Sequence, residues 1–282
     1  MKLKTIQDCE DLLEGSLWLA TGGGGSYEEG LTNLTKGLAD GLSIGWEDAS
    51  SIPDDLWTST IALHGPVAPP SQQARDEIER LGLEENQDYI TQAVKALEAY
   101  LGQKFGAIVP CEVGADSIAI ALIVGAQLGI PVVDGDYTGR AMPSELQATY
   151  CLYEKECDLF ASVDRWGNTA IVRNVANYHM LERLAKMLAV AAYGLTAIAT
   201  APFPAKEMKE ILVHGTLSQS LKIGRAIRQA RESGGDVISS GLEACNGWRL
   251  FEGRVADLEF EERDGYGYGK IHIEGSGEYD NQ

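Results

Sequence analysis

The stretch that most constrains this chain runs from Phe105 to Glu145. Two short apolar runs, Phe105–Cys111 and Ile130–Val133, bracket a segment with helical patterning, Ile118–Leu128. A strand–helix–strand unit of this length is a crossover that leaves its strands parallel, with their C-terminal ends at one edge of the sheet. Pro131 falls near the start of the second run, where a missing ladder donor costs least. The first run ends in Glu112-Val113-Gly114-Ala115-Asp116-Ser117 and the second in Asp134-Gly135-Asp136. Acids and glycines directly beyond buried parallel strands mark the edge where open α/β sheets hold ligands. Arg140 and Glu145 follow within a dozen residues, so four charges are brought toward one pocket. A plain solvated turn, with Asp and Gly serving only the backbone, is the competing reading.

The rest of the chain fits an α/β frame. Ile6 to Leu19 reads as an amphipathic helix that ends at four glycines, Gly22, Gly23, Gly24 and Gly25. Glycines take positive φ without steric cost, and Ser26-Tyr27-Glu28-Glu29 reads as a capping box opening a second helix. A glycine loop at a helix N-terminus offers backbone N–H groups to a carboxylate or an oxyanion. Without a preceding strand or a G-x-x-x-x-G-K-[ST] pattern it is neither a dinucleotide fingerprint nor a P-loop. Leu56–Leu63 reads as a strand running into His64 and a proline-rich loop, His64–Pro70. Helices are expected over 71–81 and 88–101, a hairpin around 164–168, a long apolar helix over 177–193 and a strand over 195–201. The helix 219–231 carries Lys222, Arg225, Arg228 and Arg231 on nearly one face. That face is read as solvated or as pairing with acids of a neighbouring subunit. From Trp248 onward the pattern is β, with a turn at 264–269. A composition shift near Val175 divides the chain into 1–175 and 176–282. The expected architecture is a mostly parallel sheet flanked by helices, followed by a smaller α+β domain.

Forty-two acids against 23 bases give a net charge of −19, which disfavours nucleic acid and anionic membrane as partners. The five cysteines show no paired spacing, which argues against a zinc ribbon or disulfide framework and for a reducing, cytoplasmic setting. The N-terminus turns acidic before any apolar core, and no apolar run approaches about 20 residues, so neither a signal peptide nor a spanning helix is expected.

Four segments in order, ATGGGGS at 20–26, PCEVGADS at 110–117, DGDYTGRAMPSE at 134–145 and GTLSQSLKIGRAIRQA at 215–230, carry a resemblance. Together they resemble the S-methyl-thiohydantoin desulfurase-like family, over about Leu12 to Glu274. The resemblance implies a small heterocyclic substrate and removal of sulfur or a methylthio group by water, leaving a hydantoin. Family members are longer, so the second domain is expected to look C-terminally shortened. A non-catalytic ring-binding accessory subunit of hydantoin or oxoproline metabolism is the alternative.

Such a hydrolysis needs a base for water, donors for developing negative charge and an acid for the leaving thiol. Asp134 or Asp136 is expected as base, with Glu112 as the alternative, and Arg140 as the group that orients substrate or stabilises charge. Glu145 is expected to pair with Arg140. The Gly22–Gly25 loop and His64 complete the substrate-binding set. Whether Glu112, Asp134, Asp136 and His64 hold a divalent metal ion is left open. Cys111 is a weaker option as nucleophile. An exposed strand edge near Ile271–Ile273 predicts a homo-oligomer.

Overall fold

The computed structural model describes residues 1–65, 70–263 and 266–280. In chain order its first elements are α1 (Ile6–Ala20), α2 (Tyr27–Ala39), β1 (Trp46–Glu47), β2 (Trp57–His64), α3 (Gln72–Leu81) and α4 (Tyr89–Leu101). Then come β3 (Phe105–Pro110), α5 (Ala115–Leu128), β4 (Val132–Val133), β5 (Gly135–Asp136), α6 (Thr149–Leu152), β6 (Phe160–Asp164) and β7 (Thr169–Val172). The chain continues through α7 (Tyr178–Ala191), β8 (Thr196–Pro204), α8 (Ala205–Ile211), β9 (Val213–His214), α9 (Thr216–Ser233) and α10 (Val237–Ala244). It closes on β10 (Gly253–Arg263) and β11 (Tyr266–Gly275). The proline-rich loop and the 264–269 turn of the sequence reading fall in part on residues 66–69 and 264–265, outside the described residues.

The main sheet has seven strands in the order β1-β4-β3-β2-β8-β6-β7. Its first half, β1, β4, β3 and β2, is parallel, as the crossover through α5 requires. From β2 onward, β8, β6 and β7 pair antiparallel. The sheet is therefore mixed, and the expectation of a mostly parallel one is corrected. The cause is β8, which follows the composition shift near Val175 yet lies in the centre of the sheet. A long apolar strand buried on both faces reads the same in either direction, so composition could not reveal its polarity.

Side chains alternate across the pleat, as a period of two demands. Ile108, Val132, Ala197 and Ala199 join one apolar cluster, with Leu12, Leu34, Leu97 and Ile118 from α1, α2, α4 and α5. Ala107, Val109, Val133, Ile198 and Phe160 join a second, with Tyr137, Tyr150, Leu181 and Met208. Helices thus cover both faces.

The long helix α9 lies against α1. A Cβ on Gly15 would overlap the Ser220 carbonyl, and one on Gly224 would overlap the carbonyl of Asp11, so two glycines let the helix backbones touch. Beside that contact, Arg228 grips buried Asp11 with two nitrogens, at 2.7 and 3.1 Å. Arg225 bonds Asp8 at 2.8 Å and Arg231 bonds Glu14 at 2.6 Å. Three residues of the basic face, Arg225, Arg228 and Arg231, thus pair within the chain with Asp8, Asp11 and Glu14, which repeat at the same three-residue step, while Lys222 is exposed. At the C-terminal end, β10 and β11 form a two-stranded ribbon on which Leu258, Phe260, Ile271 and Ile273 are exposed. No helix among the described residues is long and apolar enough to cross a membrane.

Candidate functional site

Parallel pairing of β2 and β3 brings their C-terminal ends together, and the residues just beyond them form a buried titratable cluster. His64 is the last residue of β2, and Cys111 and Glu112 follow β3. Glu145 enters from the loop after β5. His64 Nε2 lies 3.2 Å from Glu145 Oε1, and the Tyr150 hydroxyl donates to Glu145 Oε2. Glu145 is 4% exposed and Tyr150 is 1% exposed. Arg140, expected as the partner of Glu145, is exposed and donates to Gln147 Oε1 and to the Ala141 carbonyl instead. Histidine and tyrosine had already filled both carboxyl oxygens.

Glu112 is held on both oxygens as well. Ser117 Oγ donates to Oε1 at 2.6 Å, and the Met142 amide donates to Oε2. Burial pushes the Glu112 carboxyl above the usual carboxylate range. The two donors pull it back, Glu145 adds a further rise and His64 opposes it. These mutual influences place Glu112, Glu145 and His64 within electrostatic reach of one another. The Cys111 thiol is driven well up, by burial first and then by the acids Glu112, Glu145 and Asp136 around it. A thiol so placed is a poor nucleophile at neutral pH.

The glycine loop packs against this edge. Gly22, Gly24 and Gly25 have positive φ, at 84°, 75° and 86°. The Gly24 carbonyl accepts the amides of Asp116 and Ser117, at 3.1 and 3.2 Å, and so meets the N-terminus of α5. A Cβ on Gly24 would overlap Gly114 Cα, and one on Gly23 would stand 2.5 Å from Ala141 Cβ. The loop thus presses backbone to backbone on the Glu112 turn and on the segment after Arg140. Three of the four resemblance-bearing segments meet here. Asp116, unremarked from sequence except as part of its motif, is buried beside Gly25 with its carboxyl raised to about 6, by burial and then by Glu29. Its signal was visible only as an acid in the first turn of an otherwise apolar helix.

Asp134 and Asp136, both candidates for the base, are separated by a change of strand. Asp134 Oδ1 accepts the amides of Leu217 and Ser218 at 3.1 and 3.0 Å, and Oδ2 accepts the Ser218 hydroxyl. It therefore caps the N-terminus of α9, where a negative charge also meets the helix dipole. Asp136 has no exposed surface. Its Oδ1 takes the amides of Thr138 and Gly139, both at 2.6 Å, closing the turn that follows β5. Oδ2 lies near Thr216 Oγ1, and neither atom has a well-formed hydrogen bond. Burial lifts the Asp136 carboxyl to about 6, against the pull of Thr216 and the two amides, with Glu112 a minor further rise. Asp134 is not among the causes.

With each carboxyl spent in this way, no three His, Cys, Asp or Glu side chains among the described residues are disposed to share a metal ion. The set Glu112, Asp134, Asp136 and His64 does not fit one.

The fold and site define a mixed-sheet α/β protein with a buried acid–histidine cluster beyond its parallel strands. The chain belongs to the S-Me-THD-like family: the model of the N-terminal domain matches residues 7–174 and that of the C-terminal domain matches 176–282. A crystal structure of a protein from Chromobacterium violaceum is similar in fold, with a TM-score of 0.69 at 20% identity. The match covers 96% of this chain and 75% of that one. No curated protein matches the chain.

Proposed function

We propose that the protein hydrolyses the carbon–sulfur bond of a thiohydantoin-type ring, releasing sulfide or a methylthiol and leaving a hydantoin. The observation that carries this reading is the buried Glu112, tied through Ser117 to the glycine loop and within electrostatic reach of the His64–Glu145 pair, in a chain of the S-Me-THD-like family. A carboxyl raised by burial is a stronger base than a free one. Glu112 takes a proton from water as the oxygen bonds to the sulfur-bearing carbon, and His64, held by Glu145, gives one to the ring nitrogen. As the carbon–sulfur bond breaks, Glu112 passes its proton to the departing sulfur and His64 recovers the proton of the new hydroxyl. Both groups end as they began. The backbone amides of Gly24 and Gly25 hold a ring carbonyl, those of Gly22 and Gly23 being bonded to Leu17 and Ala20, and the exposed Arg140 meets an acidic ring substituent. Asp134 and Asp136 build the floor and are not assigned a chemical step.

Incubation of the purified protein with an S-methyl-thiohydantoin, with thiol release followed by a chromogenic disulfide, tests the reading. Stoichiometric methanethiol and hydantoin are expected. Binding of the ring without thiol release would replace this reading with that of an accessory ring-binding subunit.

A further inference from the structure

Ser117 has one hydroxyl proton and two acceptors for it. Its Oγ lies 2.6 Å from Glu112 Oε1 and 3.3 Å from the Gly24 carbonyl. The other oxygen of Glu112 faces the Met142 amide, which can only donate. That amide is accepted better by a carbonyl oxygen than by a carboxylic hydroxyl, so in the resting protein a proton on Glu112 sits on Oε1, facing Ser117, whose hydroxyl can accept as well as donate. An O–H aimed at another O–H is repulsive, so the Ser117 proton must then leave that line. The Gly24 carbonyl is the acceptor it can turn to.

We infer that Ser117 is the proton port of Glu112. Its hydroxyl donates to Oε1 while Glu112 is ionised, and turns to the Gly24 carbonyl when Glu112 carries a proton. The protonation state of the carboxyl is thereby tied to the glycine loop. This inference rests on the proposed role of Glu112 as the base, and makes Ser117 a positioning residue that touches no reacting atom. The groups that face Glu112 are otherwise unchanged by the turn: His64 from β2, Cys111 beyond β3, Asp136 from β5 and Glu145 from the loop after it. Asp116, beside Ser117 on α5, looks the other way, toward Asn33 and Glu29 of α2. The Arg140 side chain is engaged with Gln147 and Ala141. The loop itself stays anchored without the hydroxyl, because the amides of Asp116 and Ser117 also bond to Gly24.

The test is carbon NMR of the full chain with labelled glutamate and glycine, titrated from pH 4 to 9. The Glu112 carboxyl resonance is assigned by its loss in Glu112→Gln. Removing a donor to the ionised form should raise the Glu112 midpoint by about one to two pH units in Ser117→Ala, the scale of a hydrogen bond to a charged group. Ser117→Thr, which keeps the hydroxyl, should restore the native midpoint. In the wild type the Gly24 carbonyl resonance should titrate with the same midpoint as Glu112, and in Ser117→Ala it should be flat. An unchanged Glu112 midpoint in Ser117→Ala, or a Gly24 resonance indifferent to pH in the wild type, would overturn the inference. If Ser117→Ala does not fold, the Gly24 titration of the wild type and of Ser117→Thr decides alone. The titration needs no turnover, so absence of thiol release with these shifts intact would sink the desulfurase reading and leave the port standing.

Discussion

Asp136 gives the prediction with the clearest sign. Its carboxyl is raised from an aspartate's ordinary 3.8 to about 6, chiefly by burial. Between those two values the folded protein keeps a proton that the unfolded chain has released. Stability therefore falls as pH climbs from about 4 to about 6, and the loss is complete above the folded value. The interval corresponds to about 3 kcal/mol, an upper figure because the turn relaxes around a buried charge. In Asp136→Asn the amide oxygen still accepts from Thr138 and Gly139, while its NH₂ replaces the oxygen that faces Thr216 Oγ1, an unpaired acceptor. The variant should be more stable than the wild type by about 1–3 kcal/mol at pH 7.5, with the gap closing toward pH 4. Urea unfolding at a series of pH values, read by tryptophan fluorescence, measures this. A variant that is less stable at pH 7.5, or a gap that does not change with pH, would refute the reasoning.

Other outcomes follow from the same contacts. Gly224→Ala pushes a methyl group into the Asp11 carbonyl across the α1–α9 contact and should cost about 1–3 kcal/mol or more in chemical denaturation. Asp134→Ala uncaps α9 and should cost about 1–2 kcal/mol in the same assay, with Asp134→Asn in between. Gly24→Ala meets both a positive φ and the Gly114 backbone, so it should lower turnover and thermal stability together. The exposed apolar face of the β10–β11 ribbon should be covered by a second copy. Light scattering should then show a dimer or larger, and Phe260→Ser with Ile271→Ser should return it to monomer.

What the sequence disclosed depended on whether neighbours in space were also neighbours in the pattern. The crossover from β3 through α5 to β4 was legible, because two apolar runs around one helix leave few topologies. Glu112 and Asp134 could be placed at one edge for the same reason. The partners of Glu145 were not legible: Tyr150 is close in sequence, but His64 reaches it only once β2 lies beside β3. The pairing of α9 with α1 was there to be found, since Asp8, Asp11 and Glu14 repeat the three-residue step of Arg225, Arg228 and Arg231. Complementary stripes 217 residues apart are a signal, but one that needs both helices to be compared. The separate surroundings of Asp134 and Asp136 were not legible, because a two-residue spacing implies a shared face only within one strand. The chain leaves β4 at Asp134 and enters a separate pairing with β9 at Gly135.

Thiol release by Glu112→Gln separates a catalytic base from a structural acid, since glutamine keeps the shape of the side chain but cannot take a proton. Measured on an S-methyl-thiohydantoin beside Asp136→Asn, the Glu112 variant should lose about 10²-fold or more in kcat, the scale of an acid–base group, while the Asp136 variant turns over like the wild type. Full activity in Glu112→Gln, or the loss appearing in Asp136→Asn instead, would contradict the account.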